Sequence, residues 1–126
     1  MNKIIFRTTL ALTMVALLTV CGCGKKADTS KPVSEVKAEA EKMDVSQLRD
    51  MAMKYKDAFD AKAKEIQAEG AKLKNVPVTE MTGAKAKEIS AKVDELTKTA
   101  NDLRERFQIY VDELKKKGGD ISGLQI

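Results

Sequence analysis

The chain has 126 residues, of which 33% are charged and 4% aromatic, and it contains no histidine. Without histidine it lacks the commonest general base and the commonest neutral metal ligand, so the composition speaks against an enzyme and against a metal site. Lys and Arg outnumber the acidic residues 23 to 19, but 18 of each sign follow from Val33 onward. The domain therefore lacks the charge excess typical of nucleic-acid binding, which needs a clustered basic face.

Residues 1–22 have the pattern of an export signal. Lys3 and Arg7 supply a basic start, the apolar run from Leu10 to Val20 is too short to span a membrane as a helix, and a small-residue site ending on cysteine follows. This junction resembles the lipobox of bacterial lipoproteins. The resemblance implies that the leader is cut before a cysteine that becomes diacylated, which would anchor the mature chain to a membrane.

Two cysteines compete for that lipid. Cleavage before Cys23 places the small residue Gly22 at the cut, whereas cleavage before Cys21 places the bulkier Val20 there, so we expect Cys23, with Cys21 as the alternative. An ordinary secretory cut, which leaves both thiols free or bridged, is a third interpretation. Gly24 stands where some lipoproteins of the inner membrane carry aspartate, and the resemblance therefore favours the outer membrane, facing the periplasm.

Residues 23–32 are predicted to be the lipidated cysteine and a flexible tether, because the stretch from Gly24 to Pro32 lacks apolar periodicity and includes Gly, Ser and Pro. After Pro32 the composition shifts to Ala, Lys and Glu, which favours long helices. We predict a helical domain over residues 33–117, with helices at about 33–43, 45–74 and 80–117, and a C-terminal tail over residues 118–126.

The ends of the predicted helices carry recognisable signals. Asp44 and Gln47 are spaced as a capping box at the start of the second helix, and Thr79 is the candidate N-cap of the third. Three lysines followed by Gly118 indicate where the third helix ends, because cations stabilise the final turn and glycine tolerates the conformation that follows it.

Apolar residues at alternating spacings of three and four form a narrow stripe along the second and third helices, typical of a coiled-coil seam. Lys62 and Glu69 are polar positions in this stripe, and for them we favour a register-setting or snorkelling role over a functional pair. Acid-before-base pairs four residues apart, such as Asp102 and Arg106, indicate exposed faces. The predicted seam comprises Leu48, Tyr55, Phe59, Ile66, Ile89, Leu96, Leu103, Phe107 and Tyr110.

The seam also predicts how the two long helices pair. If the chain folds back at Pro77–Val78, Tyr55 lies opposite Ala100 and Ile66 opposite Ile89, and several large residues meet small ones. A slip by one heptad also aligns apolar with apolar residues, so both registers are compatible with the pattern. The short first helix, doubling back, is expected to cover the last turns of the third.

These patterns predict an all-α fold, either an antiparallel coiled-coil-like helical hairpin or an elongated three-helix bundle. The function that we expect is noncatalytic: a small lipid-anchored envelope lipoprotein that serves as scaffold, adaptor or spacer through helix–helix contacts. A covalent lipid would provide the membrane contact, and a protein partner or a second copy would complete the apolar faces that a hairpin leaves open. We expect no cofactor, no bound metal, no nucleic acid and no small-molecule substrate.

Two other interpretations remain. An amphipathic lipid-binding or membrane-surface protein would also have apolar stripes, although balanced charge and a narrow seam are unlike the broad apolar face and basic polar face of interfacial helices. A short anchored coiled coil also resembles the murein lipoprotein, which is fixed to peptidoglycan through a terminal lysine. Because this sequence ends in Ile126, we do not expect that kind of attachment.

Overall fold

The computed structural model describes residues 27–126, and this part of the chain is all-helical. It contains α1 (Val33–Lys42), α2 (Val45–Lys74), a 3-10 turn (Val78–Glu80) and α3 (Ala84–Lys116), with no strand among the described residues. Helices α2 and α3 pack together along an antiparallel hairpin, and α1 packs against α3. The predicted all-helical hairpin is therefore confirmed. The predicted signal peptide and both cysteines lie outside the described residues.

Helix α2 begins at the predicted capping box. The Asp44 carboxylate accepts a hydrogen bond from the Gln47 backbone N–H at 2.8 Å, and the Gln47 side-chain oxygen accepts one from the Asp44 backbone N–H at 3.1 Å. Two of the backbone N–H groups that a helix start leaves without partners are thus satisfied.

The start of α3 differs from the prediction. Residues 78–80 form a 3-10 turn instead of the first helical turn, and Gly83, not Thr79, is the N-cap. The Gly83 N–H donates to the Glu80 carbonyl at 2.8 Å, and a Cβ on Gly83 would lie only 3.0 Å from that same oxygen. This tight turn delays α3 to Ala84. The connection therefore spans residues 75–83.

The end of α3 follows the predicted signal. Gly118 has a φ of 70°, its N–H donates to the Lys115 carbonyl at 3.0 Å, and the Gly119 N–H donates to the Leu114 carbonyl at 2.9 Å. This pair of bonds is the Schellman arrangement, which requires the left-handed conformation that glycine adopts without steric cost. Helix α3 itself ends at Lys116.

The predicted pairing of Tyr55 with Ala100 is wrong. Tyr55 instead stacks on Tyr110, with ring centroids 5.4 Å apart, and the Glu69 carboxylate meets the Lys92 ammonium at 2.8 Å. Relative to that pairing, α3 is displaced by 10 residues at Tyr55 and by 6 at Glu69, which is about one heptad. The longer connection contributes to this shift, because the midpoint of residues 75–83 is residue 79, past the predicted fold-back at Pro77–Val78.

The core has two parts of unequal size. At one end of the hairpin, α1 and the C-terminal tail add to α2 and α3, so that buried side chains are enclosed on several sides. This larger cluster comprises Val36, Ala40, Leu48, Ala52, Tyr55, Leu103, Phe107, Tyr110, Val111, Leu114 and Leu124. Near the turn only α2, α3 and their connection contribute, and the smaller cluster comprises Val76, Ala86 and Ile89, with Leu73 and Val93 partly buried beside them. We call these the broad half and the narrow half of the domain.

Candidate functional site

The seam residues lie in the interface between α2 and α3, but not with equal burial. Five of them belong to the core of the broad half: Leu48, Tyr55, Leu103, Phe107 and Tyr110. Ile89 is buried in the narrow half. The other three, Phe59, Ile66 and Leu96, are only partly buried. The structure thus brings the seam together as a packing surface, and the packing is tightest where α1 covers it.

One seam residue also makes a polar contact with the segment that precedes α1. The Tyr55 hydroxyl donates a hydrogen bond to the Asp28 backbone carbonyl at 2.7 Å. Burial raises the pKa of Tyr55, so the hydroxyl remains a donor across the ordinary pH range. Residues 27–32, which we call the N-terminal arm, are therefore bonded to the helical body.

Arg106 makes the second and stronger contact with this arm. Its side chain is 5% exposed, and Nη2 donates to the carbonyls of Thr29 at 2.7 Å and Lys31 at 2.6 Å. Nη1 donates to the Asp102 carbonyl at 2.9 Å, and Nε has no acceptor among residues 27–126. A buried guanidinium is stabilised here by backbone carbonyls, through charge-assisted hydrogen bonds.

The arm is further ordered by its own side chains. The Asp28 carboxylate accepts hydrogen bonds from the Ser30 N–H at 2.8 Å and the Ser30 hydroxyl at 2.6 Å, and these bonds lower the pKa of Asp28. Lys31 pairs with Glu39 of α1, which raises the pKa of Lys31. Here the structure differs from the predicted flexible tether, because residues 28–31 are bonded to the bundle.

Arg106 was expected on an exposed face, and this expectation is wrong. Its guanidinium turns inward and bonds the backbone carbonyl of Asp102. One sequence signal could have indicated this position: Arg106 lies three residues after Leu103 and four before Tyr110, on the flank of the seam. Its acceptors are backbone carbonyls of the arm, and because every residue has such a carbonyl, the sequence does not indicate them.

The C-terminal tail is held in a similar way. Arg49 donates to the carbonyls of Asp120 and Ser122, the latter at 3.0 Å, and Leu124 is buried in the broad half. Lys117 donates to the carbonyls of Glu41 at 2.8 Å and of Met43 at 2.5 Å, just past α1. Basic side chains that bond to backbone carbonyls therefore fix both the arm and the tail to the hairpin.

The polar seam positions Lys62 and Glu69 pair with separate partners. Lys62 bonds to Glu65 at 2.7 Å, whereas the Glu69 carboxylate accepts from Lys72 and Lys92, both at 2.8 Å. These two hydrogen bonds lower the pKa of Glu69. Because Lys92 is on α3, this contact supports the register-setting role that we expected of Glu69.

The surface also carries an open groove of about 880 Å³ between α1 and α3. Charged and amide side chains predominate in its lining, among them Lys37, Arg104, Gln108 and Glu113. Within residues 27–126, no cluster of three or more metal-ligating side chains occurs. The groove thus has the character of a solvated interhelical surface.

Compared with known proteins, the chain matches no family model, no curated protein and no solved structure at a significant level. In the part of the chain that the structure describes, none of the helices is both long enough and apolar enough to span a membrane. Its function must therefore be inferred from the residues and their geometry.

Proposed function

We propose that this chain is a small noncatalytic lipoprotein of the bacterial envelope. It is anchored through an acylated Cys23, with Cys21 as the alternative, and it acts as a scaffold, adaptor or spacer through helix–helix contacts. The observation that carries the proposal is the basic and apolar leader that ends at Gly22–Cys23, a few residues before a folded helical domain. Diacylation together with a further acyl chain anchors a protein stably, whereas one chain would bind only reversibly.

The interior of the domain supports a noncatalytic role. Its buried charged groups have structural partners: Arg106 bonds to backbone carbonyls, and Glu69 and Glu113 each pair with lysine. The seam aromatics pack against each other and against aliphatic neighbours in the core. These contacts account for the buried polar and aromatic side chains by packing and register alone.

Acylation can be tested with a matched pair of cysteine variants. The natural chain, Cys23→Ala and Cys21→Ala are expressed in a bacterium, the membranes are separated by sedimentation and density, and the mature proteins are weighed by intact-mass spectrometry. We expect an acylated protein in the outer-membrane fraction for the natural chain and for Cys21→Ala, and loss of acylation for Cys23→Ala. The reverse result would assign the lipid to Cys21. An acyl-free mature protein in every case would refute the anchor.

Assembly is the second part of the proposal. Affinity capture of the acylated protein from detergent-solubilised envelopes, with Cys23→Ala as control, should recover one partner repeatedly or a defined oligomer of this chain. A strictly monomeric protein that recovers neither would contradict the scaffold and adaptor roles.

One observation favours the alternative of a membrane-surface protein. The turn between α2 and α3 exposes Val78 to 90% and Met81 to 47%. Vesicle flotation of a mature domain without lipid distinguishes the two functions. Uptake that is lost in Val78→Ser would favour the alternative, whereas absence from the vesicles favours a body that contacts the membrane only through its anchor.

A further inference from the structure

The N-terminal arm meets the hairpin near the middle of its long side. Ala27 and Thr29 line a surface recess with Ala58 and Ala61 of α2 and Thr99 of α3. Ala58 lies 13 residues after the first residue of α2 and 16 before its last, which is about 20 Å and about 24 Å along the helix. The chain therefore leaves the domain from its flank, far from either end.

Little chain is available between this exit point and the proposed lipid site. Four peptide units separate Cys23 from Ala27, which lines the recess beside Ala58. Fully extended, they span at most about 14 Å. A flexible stretch of this length has a root-mean-square reach of about 11 Å.

We propose that the helical domain lies on its side against the lipid surface, with the flank around Ala58 and Ala61 turned toward the head groups. This inference rests on the proposed anchor at Cys23. If the hairpin stood upright, one half of α2 would extend about 20–24 Å below the exit point, farther than the tether reaches. That end would be forced into the head groups, so the long axis must incline toward the membrane plane.

The charge near the exit point agrees with this posture. Lys25 and Lys26 occupy the short stretch before the arm, and Lys54 lines the same recess as Ala27, whereas Lys62 of that recess is paired with Glu65. Lysines close to anionic head groups are attracted to them. A domain in this posture lies along the membrane surface. Among the proposed functions, this posture favours a scaffold or adaptor over a spacer.

The posture can be measured by energy transfer from the protein to labelled lipids. Once Cys23 carries lipid and the leader is removed, the chain has no free thiol, so Ser46→Cys and Val78→Cys each give a unique labelling site, one at the start of α2 and one in the turn that follows it. The acylated proteins are reconstituted in vesicles of phosphatidylethanolamine and phosphatidylglycerol with acceptor head groups. We expect the two ends to differ by less than about 15 Å in their distance from the bilayer, whereas an upright domain requires a difference of about 45 Å.

Two controls make the test specific. A flexible Gly-Ser segment of about 15 residues inserted between Lys26 and Ala27 should increase both distances, because the reach then rises to about 25 Å. The double variant Tyr55→Phe/Arg106→Met should do so to a smaller extent by releasing the arm, while Arg104→Met, at an exposed arginine, should not. Circular dichroism confirms that each variant is folded.

A difference of about 15 Å or more between the two ends, or distances that do not respond to the inserted segment, would overturn the side-on posture. A protein that lacks the acyl mass and does not sediment with the vesicles would instead refute the anchor itself.

Discussion

Replacing Arg106 by methionine tests whether backbone carbonyls hold the arm. Methionine keeps much of the aliphatic packing but removes the donors to the carbonyls of Thr29 and Lys31, at 2.7 and 2.6 Å. Hydrogen bonds to charged groups contribute about 1.5–3 kcal/mol each. In the variant, part of this loss of stabilisation is offset, because the guanidinium no longer has to be desolvated and water can bond to the freed carbonyls.

We therefore expect Arg106→Met to lower the free energy of unfolding by about 2 kcal/mol, which for a domain of about 100 residues lowers Tm by about 10 °C. The measurement is urea and thermal denaturation followed by circular dichroism on the mature domain. Amide hydrogen exchange should also show that residues 28–35 lose protection while the middle of α3 keeps it.

Arg104→Met is the matched control, since Arg104 is exposed on the same helix and should change stability by less than about 0.5 kcal/mol. If Arg106→Met were equally neutral, or if the arm kept its protection, Arg106 would not hold the arm. In either case the bonds to the arm would contribute nothing to its placement.

Three further predictions concern the hairpin. Asp44→Ala should lower the free energy of unfolding by about 1 kcal/mol because it removes the capping box, as measured by urea denaturation, and an unchanged midpoint would contradict it. Hydrogen bonds from Lys72 and Lys92 lower the pKa of Glu69 below its ordinary value of 4.5, so its stabilising effect is complete above that pH and is lost as the pH falls through the folded-state pKa. Glu69→Gln should therefore flatten the fall in stability with acid below about pH 4.5, and parallel curves for both proteins would exclude a role for this carboxylate. With Cys21 and Cys23 absent, a short bifunctional thiol reagent should join cysteines placed at Glu69 and Lys92 within one chain, and not cysteines placed at Tyr55 and Ala100; the opposite outcome on a peptide map would restore the register one heptad away.

Local side-chain patterns were sufficient to predict most of the helices. The extent of α2 follows from a capping box at its start and from Pro77 shortly after its end, and the end of α3 follows from Gly118, because each signal acts within one or two turns. The start of α3 was missed because it depends on consecutive 3-10 bonds between Pro77 and Gly83, which backbone groups make with little help from side chains.

The apolar pattern could predict neither the register of α2 against α3 nor the contacts of the N-terminal arm. A seam that repeats every seven residues is compatible with itself after a shift of one heptad, so the apolar pattern alone could not decide the pairing. The inward turn of Arg106 depends on carbonyl acceptors from residues more than 70 positions earlier in the chain. The composition of the segment before α1 indicated a linker. Composition carries no information about the backbone carbonyls of that segment that accept hydrogen bonds from Arg106.

The unequal halves of the core have a consequence for proteolysis. Few buried side chains hold the turn end, so its amides should open at a lower free energy than those around Leu114 and Tyr110, which are almost fully enclosed. A protease would then nick the chain first between α2 and α3, near the exposed Val78. The two fragments would stay associated through the broad half. The N-terminal fragment, which carries the arm, would remain bonded to Arg106 of the C-terminal fragment.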